Sequence, residues 1–126
     1  MKKTEVSMKG WYISAVLLFL SLIGVNILAQ GFKGNPQKGK VIYETYCLRC
    51  HGKALDGKGP ESSSLNVAPS NFHAPHSRIK DEAELQLTIT RGRDLTPMHS
   101  WEDQLQPTQI RDVSAYIRSV IPYEGP

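Results

Sequence analysis

Cys47, Cys50 and His51 fall within five consecutive residues, Cys-Leu-Arg-Cys-His, and no other group in this chain is better equipped for chemistry. Two thiols separated by two residues can be presented by one helical turn to the same porphyrin edge, where each adds across a vinyl group. The imidazole that follows immediately then lies under the porphyrin's iron as its proximal ligand. The pattern therefore points to covalent attachment of one haem of the c type. These are the only two cysteines in the 126 residues, so no second cysteine site competes. Two other chemistries use the same spacing. A dithiol redox pair wants a preceding strand and a βαβ context, and a zinc site wants two further ligands at regular spacing. Neither context is visible, although His73, His76 and His99 are present as possible donors.

The elements around this motif follow from capping signals and periodicity. Asn35-Pro36 starts a helix, since Asn is a good cap and Pro is tolerated at the first helical position. That helix should run through Tyr46 into the cysteine motif, with Gly39, Tyr43 and Cys47 on one stripe. A glycine inside a helix costs up to about 1 kcal/mol relative to alanine, so Gly39 suggests another helix crossing closely over it. Residues 52–72 contain Gly57, Gly59, Pro60, the serine run 62–64 and Pro69, and read as a loop able to wrap one porphyrin edge. Asp81 and Glu84 form a capping box for a second helix, with Leu85, Thr88 and Ile89 inward and Gly92 as its stop. A last helix begins near Gln106-Pro107, turns Ile110, Val113, Ile117 and Val120 to one face, and ends at Pro122. The expected fold is all-α, about three helices with long loops. So few apolar residues make a thin core, and the haem must supply apolar mass, with Leu65, Val67, Phe72, Leu85, Ile89, Leu95 and Trp101 as candidate walls.

The N-terminus carries a different signal. Lys2, Lys3 and Lys9 precede an almost wholly apolar run, residues 11–29. A basic head followed by such a run is a secretory signal or an N-terminal membrane anchor. As a helix, its 19 residues would reach about 28 Å, just enough to cross a bilayer core. Ala29 offers a cleavage position, but Ile27 fits the small-residue rule poorly, and an uncleaved anchor with cytoplasmic lysines is preferred. Residues 1–30 are therefore read as signal or hydrophobic anchor helix and 31–126 as the exported domain. Export agrees with the cysteine motif, because c-type haem is attached outside the bacterial cytoplasm. The chain has a net charge of +3, and the part after residue 29 keeps 12 basic and 11 acidic residues without a basic stripe. Nucleic-acid binding is not supported.

Together these features resemble the class I monohaem cytochromes c, close to the small bacterial c551/c552 type and to the haem c domains of respiratory complexes. The resemblance covers about residues 35–121 and rests on CLRCHG, the GKGP after it, ITRG, PMHSW and the RDVSAYIRS of the last helix. It implies a small cytochrome c fold whose first and last helices cross at right angles, with Gly39 and Tyr43 meeting Tyr116. It implies thioethers at Cys47 and Cys50, iron bound by Nε2 of His51, and a carbonyl of Pro60 holding the other ring nitrogen. Met98 matches the distal iron ligand, the only methionine outside the N-terminal segment. The chain departs from the family at position 99, where His99 stands in place of a common proline. His99 is thus a rival ligand, with His73 and His76 as more distant ones. Trp101 either closes the haem pocket or packs as core. Arg78, Arg91 and Arg93 either neutralise propionates or lie on solvated faces.

With both axial positions filled by protein, iron has no open site, and the resemblance implies an electron carrier rather than an enzyme. The expected role is electron transfer between redox partners of a respiratory chain, on the periplasmic side of the bacterial inner membrane. The chain would work as a membrane-tethered carrier or as a subunit of a larger redox complex. Two readings compete. One is a gas-binding or peroxidase-like haem protein with a labile sixth ligand. The other is an assembly subunit whose haem is incidental.

Overall fold

The computed structural model describes residues 11–20 and 33–125. The chain divides into two compact units, Met1–Phe32 and Lys33–Pro126. In the first, residues 11–20 are helical and their side chains are exposed. The basic head and the rest of the apolar run expected as a signal or anchor lie outside the described residues. Among the described residues no helix is long and apolar enough to cross a membrane.

The second unit is built from helices, with no strand among the described residues. Helix α1, Pro36–Ile42, is capped by Asn35, whose side chain accepts from the N–H groups of Gln37 and Lys38 at 3.0 and 3.1 Å. This cap satisfies two of the donors that every helix start leaves open. The helix does not continue as regular α to the cysteines. Tyr43–Cys47 forms one π turn, closed by the N–H of Leu48 on the carbonyl of Tyr43, before helix α2, Leu48–His51. The extra residue in that turn takes Cys47 off the Gly39–Tyr43 stripe that a continuous α-helix would give.

Loop segments then supply a single 3-10 turn, Ser62–Ser64, and a short helix α3, Pro75–Arg78. Helix α4, Glu82–Arg91, carries the expected capping box: Glu84 N donates to Asp81 at 2.7 Å and Asp81 N donates to Glu84 at 3.2 Å. Helix α5, Pro107–Val120, starts where the N–H of Gln106 donates to the Gln109 side chain at 2.8 Å.

The core lies where α1 crosses α5. An added Cβ at Gly39 would overlap the carbonyl of Asp112, so the two backbones meet directly. Beside this contact the N–H of Asn35 donates to the Asp112 carboxylate at 2.7 Å, and the rings of Tyr43 and Tyr116 lie 5.4 Å apart. Ile42, Tyr43, Ile110, Val113 and Ile117 are buried around the crossing. Burying each such aliphatic side chain is worth about 1.5–3 kcal/mol. Val120, expected on the inward face of α5, is instead exposed, and Ser114 and Ile121 are buried. Positions 110, 113, 114, 117 and 121 follow the 3.6-residue period more closely than a face ending at 120. Ser114 is tolerated inside because its hydroxyl donates to the Ile110 carbonyl at 2.8 Å.

Candidate cofactor site

Two limbs of chain return to the α2 turn and enclose a cavity of about 300 Å³ beside it. The first limb leaves α2 at Gly52, whose φ of +81° is a left-handed conformation that glycine adopts without strain. It is tied back along the helix, with Gly57 N donating to His51 O at 2.9 Å, Gly59 N to Cys50 O at 3.0 Å and Glu61 N to Arg49 O at 2.9 Å. The buried hydroxyl of Tyr43 donates to the Gly52 carbonyl at 2.8 Å and fixes the exit. The loop closes on itself where Phe72 N donates to Leu55 O at 2.9 Å.

That closure brings Ser70 and Phe72 against His51. The ring nitrogen Nδ1 of His51 lies 3.3 Å from the Ser70 carbonyl, and the Phe72 ring is 5.1 Å from the imidazole. A carbonyl only accepts, so Nδ1 carries the proton and the lone pair remains on Nε2. Burial pushes this histidine below its ordinary pKa, with the Ser70 bond acting the other way. It is held as a neutral ligand-type imidazole.

Pro60 does not have the role expected of it. It is exposed and does not line the cavity, because the bonds from Gly59 and Glu61 to the α2 carbonyls carry it to the outside of the turn. The carbonyl facing His51 belongs to Ser70, directly after Pro69, the loop's other proline.

Cys47 and Cys50 line the cavity beside His51 and are half-buried. Burial, and then the neighbouring Cys50, push the Cys47 thiol up to about 12. A dithiol redox motif needs the opposite, a thiol shifted down toward the thiolate. Among the described residues no three His, Cys, Asp or Glu side chains cluster as a metal site would require, so the further ligands of a zinc centre are missing.

The second limb follows α4. Gly92, φ +72°, ends that helix and turns the chain into a tight loop in which Arg93 N donates to Met98 O at 2.8 Å. Ser100 Oγ donates to Thr90 O at 2.7 Å, and Trp101 N donates to Ile89 O at 3.2 Å, so the loop is sewn back onto α4. Met98 is held half-buried against the core with its side chain on the cavity. Trp101 combines both roles considered for it, since it is buried in the core and also lines the cavity. Tyr46 meets its ring edge-on at 5.6 Å and His99 packs on it at 4.4 Å. Of the rival histidines, His99 and His76 reach the cavity, whereas His73 turns its Nε2 to the Ala54 carbonyl at 2.8 Å and does not line it.

Leu65, Val67, Phe72, Leu85 and Ile89 join Trp101 as walls. Leu95 does not: its φ of +59° turns it outward and it is 97% exposed. Of the arginines considered, Arg93 reaches the cavity, Arg78 pairs with Glu124 and Arg91 is exposed. The sequence reading missed Arg118, which also lines the cavity.

A porphyrin iron needs an apolar enclosure with one or two neutral donors, and a c-type attachment needs the two thiols at its edge. The donor set here meets that test: two thiols, a neutral imidazole and a thioether on apolar walls, with no carboxylate among the lining residues. An all-helical unit with this enclosure between its CxxCH turn and its methionine loop is a class I-like cytochrome c domain, and haem c is its cofactor class. The sequence profile of cytochrome c oxidase, cbb3-type, subunit III, matches residues 34–117, and the chain belongs to that family.

Among curated relatives, the chain is 33% identical over 91 residues to "Cbb3-type cytochrome c oxidase subunit FixP" of Bradyrhizobium sp. (strain ORS 278), covering 72% of this chain and 29% of that protein. It is 29% identical over 87 residues to "Cbb3-type cytochrome c oxidase subunit CcoP" of Azospirillum sp. (strain B510), covering 69% of this chain and 29% of that protein. The aligned part is thus about three tenths of the length of these relatives. Among solved structures, a chain of the "Kuenenia stuttgartiensis reducing HAO-like protein complex Kustc0457/Kustc0458" superposes with a TM-score of 0.56 at 27% identity, over 66% of this chain and 41% of that one. The "KustC0563 c-type cytochrome" superposes at 0.51 with 18% identity, over 68% of this chain and 96% of that one, a likeness of fold.

Proposed function

We propose that this domain carries one covalently bound haem c and passes single electrons between redox partners of a respiratory chain. The observation that carries the reading is the convergence of the CxxCH turn and the Met98 loop on one cavity. When bound, the haem supplies a one-electron ferric/ferrous couple. Cys47 and Cys50 hold it through thioethers. His51 binds the iron through Nε2, its ring oriented by the Ser70 carbonyl, and Met98 binds through sulfur from the loop sewn onto α4. Phe72, Leu85, Ile89 and Trp101 exclude water from the pocket and so limit reorganisation when the charge changes. With His51 and Met98 both holding the iron, this chain would leave small molecules no entry to the metal. The chain's only cysteine pair supports a single haem.

The relatives' names support a place in an oxidase complex or beside one, where this chain delivers electrons and does no chemistry on a substrate. We infer that the domain faces the periplasm at the inner membrane, with residues 1–30 as a tether or an export signal. Their basic head and apolar composition support this.

The test is production in a host with haem-attachment machinery, followed by denaturing haem stain, intact mass and visible spectroscopy. The expected protein keeps one haem after denaturation, shows the weak ferric band at the red edge of the visible that marks Met–iron bonding, and binds carbon monoxide slowly. Loss of the haem on denaturation, or rapid binding of carbon monoxide to the reduced protein, would overturn the reading. The second outcome would favour the gas-binding alternative.

A further inference from the structure

The methionine loop completes the helix that it leaves. Helix α4 ends at Arg91, and the last carbonyls of a helix have no partner within it. The N–H of Gly92 takes that of Thr88 at 2.9 Å. The next two are taken by residues beyond Met98. The N–H of Trp101 donates to Ile89 O at 3.2 Å, and the Ser100 hydroxyl donates to Thr90 O at 2.7 Å. An added Cβ at Gly92 would overlap the backbone of Met98, His99 and Ser100, so the returning chain lies directly on the helix end. The cap of α4 and the seat of Met98 are one structure.

Ser100 holds this junction through its side chain. Its half-buried hydroxyl donates to Thr90 O and accepts from the Glu102 N–H at 3.3 Å, so helix, loop and following turn meet at one oxygen. The bonds of Thr96 and His99 stay within the loop. Thr96 Oγ1 donates to Arg93 O at 2.9 Å and accepts from Met98 N at 3.2 Å, and His99 Nδ1 lies 2.7 Å from Ser100 O. They shape the loop and would survive its detachment as a unit. No proline stands among residues 98–101, so no ring stiffens the backbone on its return to α4.

We propose that Ser100 is a positioning residue for the distal iron ligand, its hydroxyl making detachment of Met98 conditional on uncapping α4. This rests on the haem reading above, with Met98 as that ligand. The loop is fastened on both sides of Met98, at Gly92 and at Ser100, so the sulfur leaves only if a fastening yields. Yielding at Ser100 strips Thr90 O and Glu102 N–H of their partner together. Without the hydroxyl both groups are unpaired in the closed loop already, and opening becomes easier. Ser100 thereby sets how often the sixth position stands open, and leaves the covalent attachment untouched.

The experiment measures carbon monoxide binding to the reduced, haem-loaded wild type, Ser100→Ala and Ser100→Thr. Carbon monoxide enters only after Met98 has left, so its rate reports local opening of the loop. Loss of one net hydrogen bond predicts binding roughly two- to tenfold faster in Ser100→Ala. Ser100→Thr keeps the hydroxyl and should return the rate toward wild type. In the ferric proteins, denaturant should erase the red-edge band before the domain unfolds, with a wider gap in Ser100→Ala than in wild type. Gly39→Ala is the control, because its overlap lies at the α1–α5 crossing and should lower the global transition without speeding carbon monoxide.

A merely structural role for Ser100 would shift both denaturant transitions together and leave the carbon monoxide rate at the wild-type value, which overturns the proposal. Equal acceleration in Ser100→Thr or in Gly39→Ala overturns it too. Should Ser100→Ala fail to take up haem, amide exchange in the haem-loaded wild type decides. A common opening for the Arg93 and Trp101 amides supports the proposal, and release of Arg93 well ahead of Trp101 refutes it. A wild type without the red-edge band would remove Met98 as ligand, and this inference with it. A wild type that has the band, beside an unaltered Ser100→Ala, sinks only the inference.

Discussion

The backbone of Gly39 rests against the carbonyl of Asp112 so closely that a Cβ on Gly39 would overlap that oxygen. Backbone cannot yield as a flexible side chain can, so alanine at this position must push α1 and α5 apart. Alanine would gain about 1 kcal/mol of helix propensity, and overpacking would cost about 1–3 kcal/mol and disturb the Tyr43–Tyr116 and Asn35–Asp112 contacts with it. The net expectation for Gly39→Ala is a destabilised domain. Denaturant unfolding of the haem-loaded protein, followed at the haem absorbance, measures it.

Gly92 governs the methionine loop. Its φ is +72°, and a Cβ there would lie 2.6 Å from the carbonyl oxygen of Met98. Gly92→Ala should therefore displace Met98 while leaving the cysteine turn intact, in addition to roughly 1–2 kcal/mol of left-handed strain. The expected result is full covalent haem content with a weakened red-edge band. Unchanged intensity of that band would show that the loop absorbs the methyl group elsewhere.

The assignment of the sixth ligand separates two neighbours. Met98→Leu should abolish the red-edge band, open the reduced iron to carbon monoxide and lower the potential, within the span of about 0.8 V that axial ligands command. His99→Leu should keep the band and the potential close to wild type. The reverse pattern would make His99 the ligand, a role its position on the cavity wall allows.

Tyr43 predicts an alkaline weakness. Burial, followed by smaller effects of Cys47, Tyr116 and Asp56, raises its phenol well above the ordinary value. The folded chain keeps this proton after the unfolded chain has begun to lose it. The contribution is thus whole below about pH 10 and is lost as pH climbs toward the folded-state value, at up to about 1.4 kcal/mol per unit. Tyr43→Phe lacks that slope. It should be less stable at neutral pH by about 1–3 kcal/mol, because the Gly52 carbonyl loses its donor. The unfolding free energies of the two proteins should converge above about pH 10.

Much of this architecture was legible because it depends on local chemistry. Asn35 and the Asp81–Glu84 box announce helix starts through side-chain oxygens two or three residues from their targets, and Gly39 announces a crossing through its missing side chain. Nearly all the apolar wall positions followed from the need to enclose a porphyrin. The failures were non-local. Which proline's neighbourhood faces His51 depends on how residues 52–72 fold back over α2, and the resemblance, matched on the GKGP after the cysteine motif, pointed to Pro60 instead of the Pro69–Ser70 limb. Leu95 looked like a wall by composition, yet a left-handed backbone in the turn sends it to solvent. Arg118 was hidden because a charged residue on a helix is usually solvated, and only the tertiary approach of the Ser77–Lys80 segment gives it buried acceptors.

The π turn at Tyr43–Cys47 has one more consequence. It splits a single rod into two segments with separate rotational phases, one set by the joint with α5 and the other by the thiols. Because the phase is reset between them, residues can drift around the prosthetic group without loosening the interhelical joint, and the joint can be reinforced without turning the sulfurs. A lineage could in this way retune its electrochemistry on a frame that stays mechanically unchanged.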